Sequence, residues 1–190
     1  MGDRLEWRRW LYENHATSKG VWLILSKVAG EVTQLKYEEA LDEAICFGWI
    51  DGQIAKRDEQ CYARRFTPRN SKSRWSAKNV ENAERLIALG QVHASGLLQI
   101  EAAKGDGRWG NAYLGQAKVS TPSDLVEALT QNPKAAKAFE QLLASDRYSI
   151  IYRLDAVKSP VTRSKKISWY IEALSRGETI RPKRAKKNSP

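Results

Sequence analysis

The sequence predicts an α+β fold: a small antiparallel sheet of about three strands packed with helices, then a C-terminal all-helical region and a disordered basic tail. Three observations carry this. VWLILSKV, Val21 to Val28, is a run of β-branched and large apolar residues. Trp49 to Ala55 and Cys61 to Thr67 are two further strand-like runs separated by the charged turn Lys56 to Glu59, the pattern of an antiparallel hairpin. In the longer segments around them, apolar residues recur at i, i+3 and i+4, the period of a helix with one buried face.

The first helix covers Arg4 to Asn14, where Trp7, Trp10 and Leu11 share a face. Gly20 releases the chain into the first strand, whose near-continuous apolarity suits burial on both faces. In the next helix Tyr37, Ala40, Leu41, Ala44 and Ile45 form the buried stripe. That places Glu38, Glu39, Asp42 and Glu43 on the solvent side. Gly48 ends this helix, and Gly48 with Trp49 reads as a tight helix-to-strand connection. Along the second hairpin strand, Tyr62, Arg64 and Phe66 share one face and Cys61, Ala63, Arg65 and Thr67 the other, so both faces carry an arginine. Pro68 closes the strand and Arg69 to Arg74 is a polar loop. A helix follows from Trp75 or Ala77 to Leu89, with Ser73 or Ser76 as N-cap, Val80, Ala83, Leu86 and Ile87 inward, and Gly90 as its stop. Another runs from Ser95 to Lys104 and stops at Gly105.

Glycines and scattered polar residues between Gly105 and Ser123 mark a boundary. Short helices are predicted beyond it at Ser123 to Gln131, Pro133 to Ala144, Arg147 to Lys158 and Pro160 to Arg176. Asn132-Pro133 and Ser159-Pro160 are cap-plus-first-turn signals, and Ile167, Tyr170, Ile171 and Leu174 form the buried stripe of the last helix. The expected organisation is an α+β domain over 1–110, a linker over 111–123, a helical domain over 124–177 and a disordered basic tail over 178–190.

Composition narrows the function classes. Hydrophobic residues at 42% and charged residues at 28% match a globular chain, which argues against disorder throughout. No apolar run suits a secretory leader or a membrane span, and Glu6 stands where a myristoylation signal needs Ser or Thr, so a cytoplasmic protein without an integral membrane segment is expected. Cys46 and Cys61 form no metal-type or disulfide spacing, and buried free thiols are their expected state. His15 and His93 lie far apart in sequence, and Ser71, Ser73 and Ser76 sit in no GxSxG string. No metal, cofactor or catalytic residue is therefore expected.

Charge is more informative. Between Lys56 and Lys78 there are eight Lys or Arg against Asp58 and Glu59, a balance of +6; between Arg176 and Pro190 there are six against Glu178, a balance of +5; the rest of the chain sums to −1 of the total +10. Two patches account for the whole excess, which is the footprint of an anionic partner.

Three strings, CFGWIDG at Cys46 to Gly52, RFTPR at Arg65 to Arg69 and SRWSAKN at Ser73 to Asn79, together with EAAKGDGRW at Glu101 to Trp109, resemble the YdeI/OmpD-associated family, also labelled bacteriocin-protection proteins. RYSIIYRLDAVKSPVTRSKKI, Arg147 to Ile167, resembles that family's C-terminal helical domain, so the resemblance covers nearly the whole chain. It implies a role in tolerance of bacteriocins and antimicrobial peptides and an association with the envelope. It supplies no catalytic residues.

The residues themselves suggest an anion site made of Arg64, Arg65, Arg69, Lys72, Arg74 and Lys78 beside the helix that begins near Ser76. A helix start offers unpaired N–H groups and a positive dipole end, and guanidinium forks bind phosphate oxygens in pairs. Tyr62, Phe66 and Trp75 would stack on bases or other flat rings, with Trp49, Asp51 and Asn79 lining the site. The competing reading is a solvated cationic face, a plain Ser76 cap, and Trp75 packed on the hairpin. Asp51 likewise reads either as a general base or as the cross-strand partner of an arginine, the second being favoured. In the tail, Arg181, Lys183, Arg184, Lys186 and Lys187 would add phosphate contacts, touch an anionic membrane surface, or serve solubility.

The leading expectation is a cytoplasmic binder of a phosphate-bearing anion, nucleic acid above all, rather than an enzyme. Its rivals are an enzyme on a small phosphorylated or carboxylated ligand, with Asp51, Arg65, Arg69 and Trp75 around one enclosed pocket, and an envelope-linked interaction module.

Overall fold

The computed structural model describes residues 1–28 and 30–178. The chain divides into two compact units, Met1–Ala112 and Tyr113–Pro190. The tail predicted to be disordered lies, from residue 179 on, outside the described residues.

The first unit is the α+β part. Its elements are α1 (Arg4–Asn14), β1 (Val21–Ser26), α2 (Tyr37–Cys46), β2 (Trp49–Lys56), β3 (Cys61–Pro68), α3 (Ala77–Ala88) and α4 (Ala94–Gly105). The strands form one antiparallel sheet in the order β1-β3-β2. Asp3 caps α1 by accepting from the Glu6 N–H, and Ser76 caps α3 by accepting from the Asn79 N–H, each satisfying a donor the helix cannot pair internally. At Gly48 the backbone turns from α2 into β2 with φ of +77°, and a Cβ there would lie 2.9 Å from the Ser95 carbonyl oxygen. Only glycine fits that turn.

The core of this unit lies on one face of the sheet. Trp7 and Leu11 of α1, Ala40 and Ile45 of α2, Leu86 of α3 and Ile100 of α4 pack on Leu23, Leu25 and Phe66. Trp7 is its hub, with ring centroids 5.4 Å from Trp10, 5.6 Å from Phe66 and 6.4 Å from Trp49. The predicted burial of the first strand on both faces is corrected: β1 is an edge strand, it ends at Ser26, and Trp22 on its second face is 41% exposed. A continuous apolar run shows how apolar a strand is, not how many of its faces are covered.

A second correction concerns α2. Glu43, expected on the solvent side, is 1% exposed. It accepts from Arg4 Nε at 2.7 Å and from Arg8 Nη1 at 2.5 Å, so its charge is buried but paired twice by α1. The bond to Glu43 raises the pKa of Arg4. On α3, Ile87 is exposed rather than inward, and Asn79 is buried.

The second unit is helical: α5 (Ser123–Thr130), α6 (Pro133–Gln141), α7 (Ala144–Asp155) and α8 (Pro160–Ser175). Helix α7 starts and ends three residues earlier than the predicted Arg147 to Lys158, which puts Asp146 in its first turn. Leu125, Phe139, Ile150, Leu154, Ile167, Tyr170 and Leu174 form its core, while Ile171 is half-buried at the edge. Arg163 ties three helices together, donating to both Asp124 carboxylate oxygens at 2.5 and 3.0 Å and to the Leu154 carbonyl at 2.6 Å.

Candidate functional site

The hairpin sorts its two arginines by face. Arg64 pairs in register with Leu23 and so lies on the core side. There it forms a hydrogen-bonded ion pair with Asp51 and covers the Tyr37 ring at 4.3 Å. The Tyr37 hydroxyl donates to the same Asp51 oxygen at 3.0 Å, and burial, with the Asp51 charge behind it, raises the Tyr37 pKa well above the usual phenol range. Asp51 is thus the cross-strand partner of an arginine. Arg65 pairs in register with Trp22 and lies on the opposite face, its guanidinium 5.9 Å from the centre of the Trp22 ring.

The loop after β3 is built around a second stack. The Arg69 guanidinium lies 3.6 Å from the centre of the Trp75 ring and donates to the Arg74 carbonyl at 3.2 Å. Trp75 packs on Trp109 at 4.9 Å, and Lys104 covers Trp109 at 5.6 Å. Arg108, held by Asp106, donates to the Asn70 and Ser73 carbonyls at 3.2 and 3.0 Å and fixes the loop from outside. The loop is therefore rigidly positioned against the start of α3. The first turn of α3 carries no acidic residue, and its Lys78 pairs with Glu81 at 3.1 Å.

Among the residues expected at the site, the aromatic set is mostly structural. Trp49, Phe66 and Trp75 are buried in the core, and Asn79 is buried beside the Ser76 cap. Tyr62 is half-buried against the core on the Arg64 side. Of the cations, Arg69 is 5% exposed within its stack, Arg64 is neutralised by Asp51, and Arg74 is half-buried. Arg65, Lys72 and Arg57 differ. None of the three forms an ion pair or donates a side-chain hydrogen bond to a described residue. Arg57 at the hairpin turn and Lys72 on the loop are exposed, and Arg65, like Arg74, is half-buried.

Sequence reasoning missed Trp22, which reads as core in an apolar run, and Arg108, whose reach to the loop spans 38 and 35 residues. His15 and His93, far apart in sequence, meet in space: their rings lie 5.0 Å from one another, with His93 stacked on Phe47. Among the described residues no group of three or more His, Cys, Asp or Glu side chains is arranged to hold a metal ion.

Residues 1–99, just over half of the 190, match the family model described as Domain of unknown function (DUF8412). The chain belongs to the DUF8412 family. Residues 118–177 match a second model, Bacteriocin-protection, YdeI or OmpD-Associated, so this DUF8412 protein carries a YdeI/OmpD-associated domain that takes in α5 to α8. No curated protein and no solved structure matches the chain.

The two matches redistribute the strings that first suggested a family. CFGWIDG, RFTPR and SRWSAKN fall within the DUF8412 match, and EAAKGDGRW lies between the two matches. In the DUF8412 unit these strings meet in space. The Arg69 N–H donates to the Gly48 carbonyl at 2.9 Å, and Trp109 and Arg108 pack on the Ser73 to Trp75 turn. Their rare residues are explained first as the parts of one loop anchor.

Proposed function

We propose that the protein binds a phosphate-bearing polyanion, nucleic acid above all, in the cytoplasm, as its part in the bacteriocin or antimicrobial-peptide tolerance that the YdeI/OmpD-associated domain suggests. The observation that carries the reading is the set of unneutralised cations. Of the eight Lys and Arg between Lys56 and Lys78, the fold engages Arg64 and Arg69 in its core, holds Arg74 half-buried in the loop and pairs Lys56 and Lys78 with carboxylates, whereas Arg57, Arg65 and Lys72 have no ion-pair partner among the described residues. Cations left without an internal partner are available to release counterions from a phosphate backbone.

The enzyme reading required Asp51, Arg65, Arg69 and Trp75 around one pocket. Asp51 and Arg65 lie on opposite faces of the sheet, and Arg69 and Trp75 fill each other's space, so the geometry gives that pocket no support. The polyanion reading is tested by fluorescence anisotropy with labelled single- and double-stranded DNA and RNA. Salt-sensitive binding that weakens at least tenfold in Arg65→Ala/Lys72→Ala is expected. Absence of binding, or a variant that binds as well as the parent protein, would remove the proposal.

A further inference from the structure

The second face of the sheet carries a feature that the charge pattern alone does not explain. Trp22, Ile24, Ala63 and Arg65 share this face by register, and none of them belongs to the core cluster, which draws Leu23, Leu25 and Phe66 from the other face. A large apolar ring left 41% exposed beside an unpaired guanidinium costs solvation without contributing to that core. The surroundings of the indole are low. Ile24 faces Ala63, Ala63 is flanked on β2 by Ala55, and Ser26 faces Cys61; Ala63 and Cys61 are themselves buried, so Trp22 stands out from a floor of mostly small side chains.

Arg65 is also held differently from Arg69. Its guanidinium sits 5.9 Å from the Trp22 ring centre, against 3.6 Å for Arg69 on Trp75, so it leans over the indole without closing on it. At Gly20, where φ is +135°, a Cβ would lie 3.4 Å from Arg65 Nη2 and 2.9 Å from the Phe66 carbonyl oxygen. The glycine lets the chain pass close to the Arg65 guanidinium. Farther along the same hairpin, roughly 14 Å from Arg65 at about 3.4 Å per residue, the strand reaches the turn that carries the unpaired Arg57.

Resting on the polyanion reading above, we infer that this open face selects single-stranded nucleic acid: a base stacks on Trp22, Arg65 takes the adjacent phosphate, and the strand runs along the hairpin toward Arg57. An exposed aromatic ring beside a guanidinium on the edge strand of a sheet recognises what single strands offer and duplexes conceal, namely unstacked bases next to phosphates. The charge complementarity comes from Arg65 and Arg57, and the selectivity from the indole.

The test compares the full chain with Trp22→Ala and Trp22→Phe against three probes: a short oligo(dT), a duplex of equal length and inorganic polyphosphate. The unmodified protein is expected to bind the single strand more tightly than the duplex. Trp22→Ala should lose on the order of tenfold in single-strand affinity, the scale of one stacked base, with polyphosphate binding unchanged, and Trp22→Phe should recover most of the loss. Circular dichroism verifies folding, and Trp22→Leu, which keeps apolar bulk without a ring, replaces the alanine variant if that one unfolds. Equal or tighter duplex binding, or equal loss for oligo(dT) and polyphosphate, overturns the single-strand inference and leaves the polyanion reading standing. Failure to bind all three probes overturns both.

Discussion

Arg64 and Arg65 are neighbours on one strand, yet the fold uses them in opposite ways. The alternation of the strand turns Arg64 to the core side, where Asp51 and the Tyr37 ring neutralise and cover it. It turns Arg65 to the face that the core does not use, where its guanidinium leans over Trp22 without an ion-pair partner among the described residues. Net charge over a segment therefore overstates what a ligand meets. What matters is which cations the fold leaves without an internal partner, and strand parity decides that.

The largest effects that sharpen this contrast concern the two sheet faces. Phe66→Ala opens a cavity between Trp7 and the sheet and should cost about 3–5 kcal/mol in chemical denaturation, whereas Trp22→Ala on the open face should cost about 1 kcal/mol or less. Comparable losses would mean that the second face is also core. The arginines come next. Arg64→Ala leaves the mostly buried Asp51 carboxylate with only the Tyr37 hydroxyl and should cost about 2–3 kcal/mol, while Arg65→Ala should stay within about 0.5 kcal/mol. In a double-mutant cycle, removing Asp51 together with Arg64 should recover part of the loss.

Acid should weaken the first unit through His93. Desolvation first, then the His15 ring and the Arg8 charge, lower the pKa of His93. The unfolded chain then takes up a proton in the ordinary histidine range that the folded chain resists. Stability is full above about pH 6.5 and falls as pH drops from there toward the lowered folded value. His93→Gln should flatten that part of a denaturation-midpoint curve against pH, and an unchanged curve would contradict the sign.

Much of this was legible in the sequence. The helix spacing around Trp7 and Leu11, the Ser76 cap, the Pro133 and Pro160 starts and the alternation of Arg64 and Arg65 are local signals, and the structure follows them. What escaped depends on contacts between distant residues. Glu43 sits in a stripe of carboxylates and reads as solvated until Arg4 and Arg8, 39 and 35 residues away, arrive to pair with it. Trp22 lies in an apolar run that hides which neighbour is covered. Trp75 and Phe66 are aromatic, beside arginines, and look like stacking platforms, but the Trp7 and Trp109 rings that bury them are outside their local sequence.

The most direct measurement of the central claim is the salt dependence of oligo(dT) binding by the parent protein and by Arg57→Ala/Arg65→Ala/Lys72→Ala. If these unneutralised cations each meet a phosphate, the log–log slope should shrink by about 2 in the variant, at about 0.7 per single-strand contact. A slope unchanged by the loss of all three would place the ligand elsewhere and contradict the account.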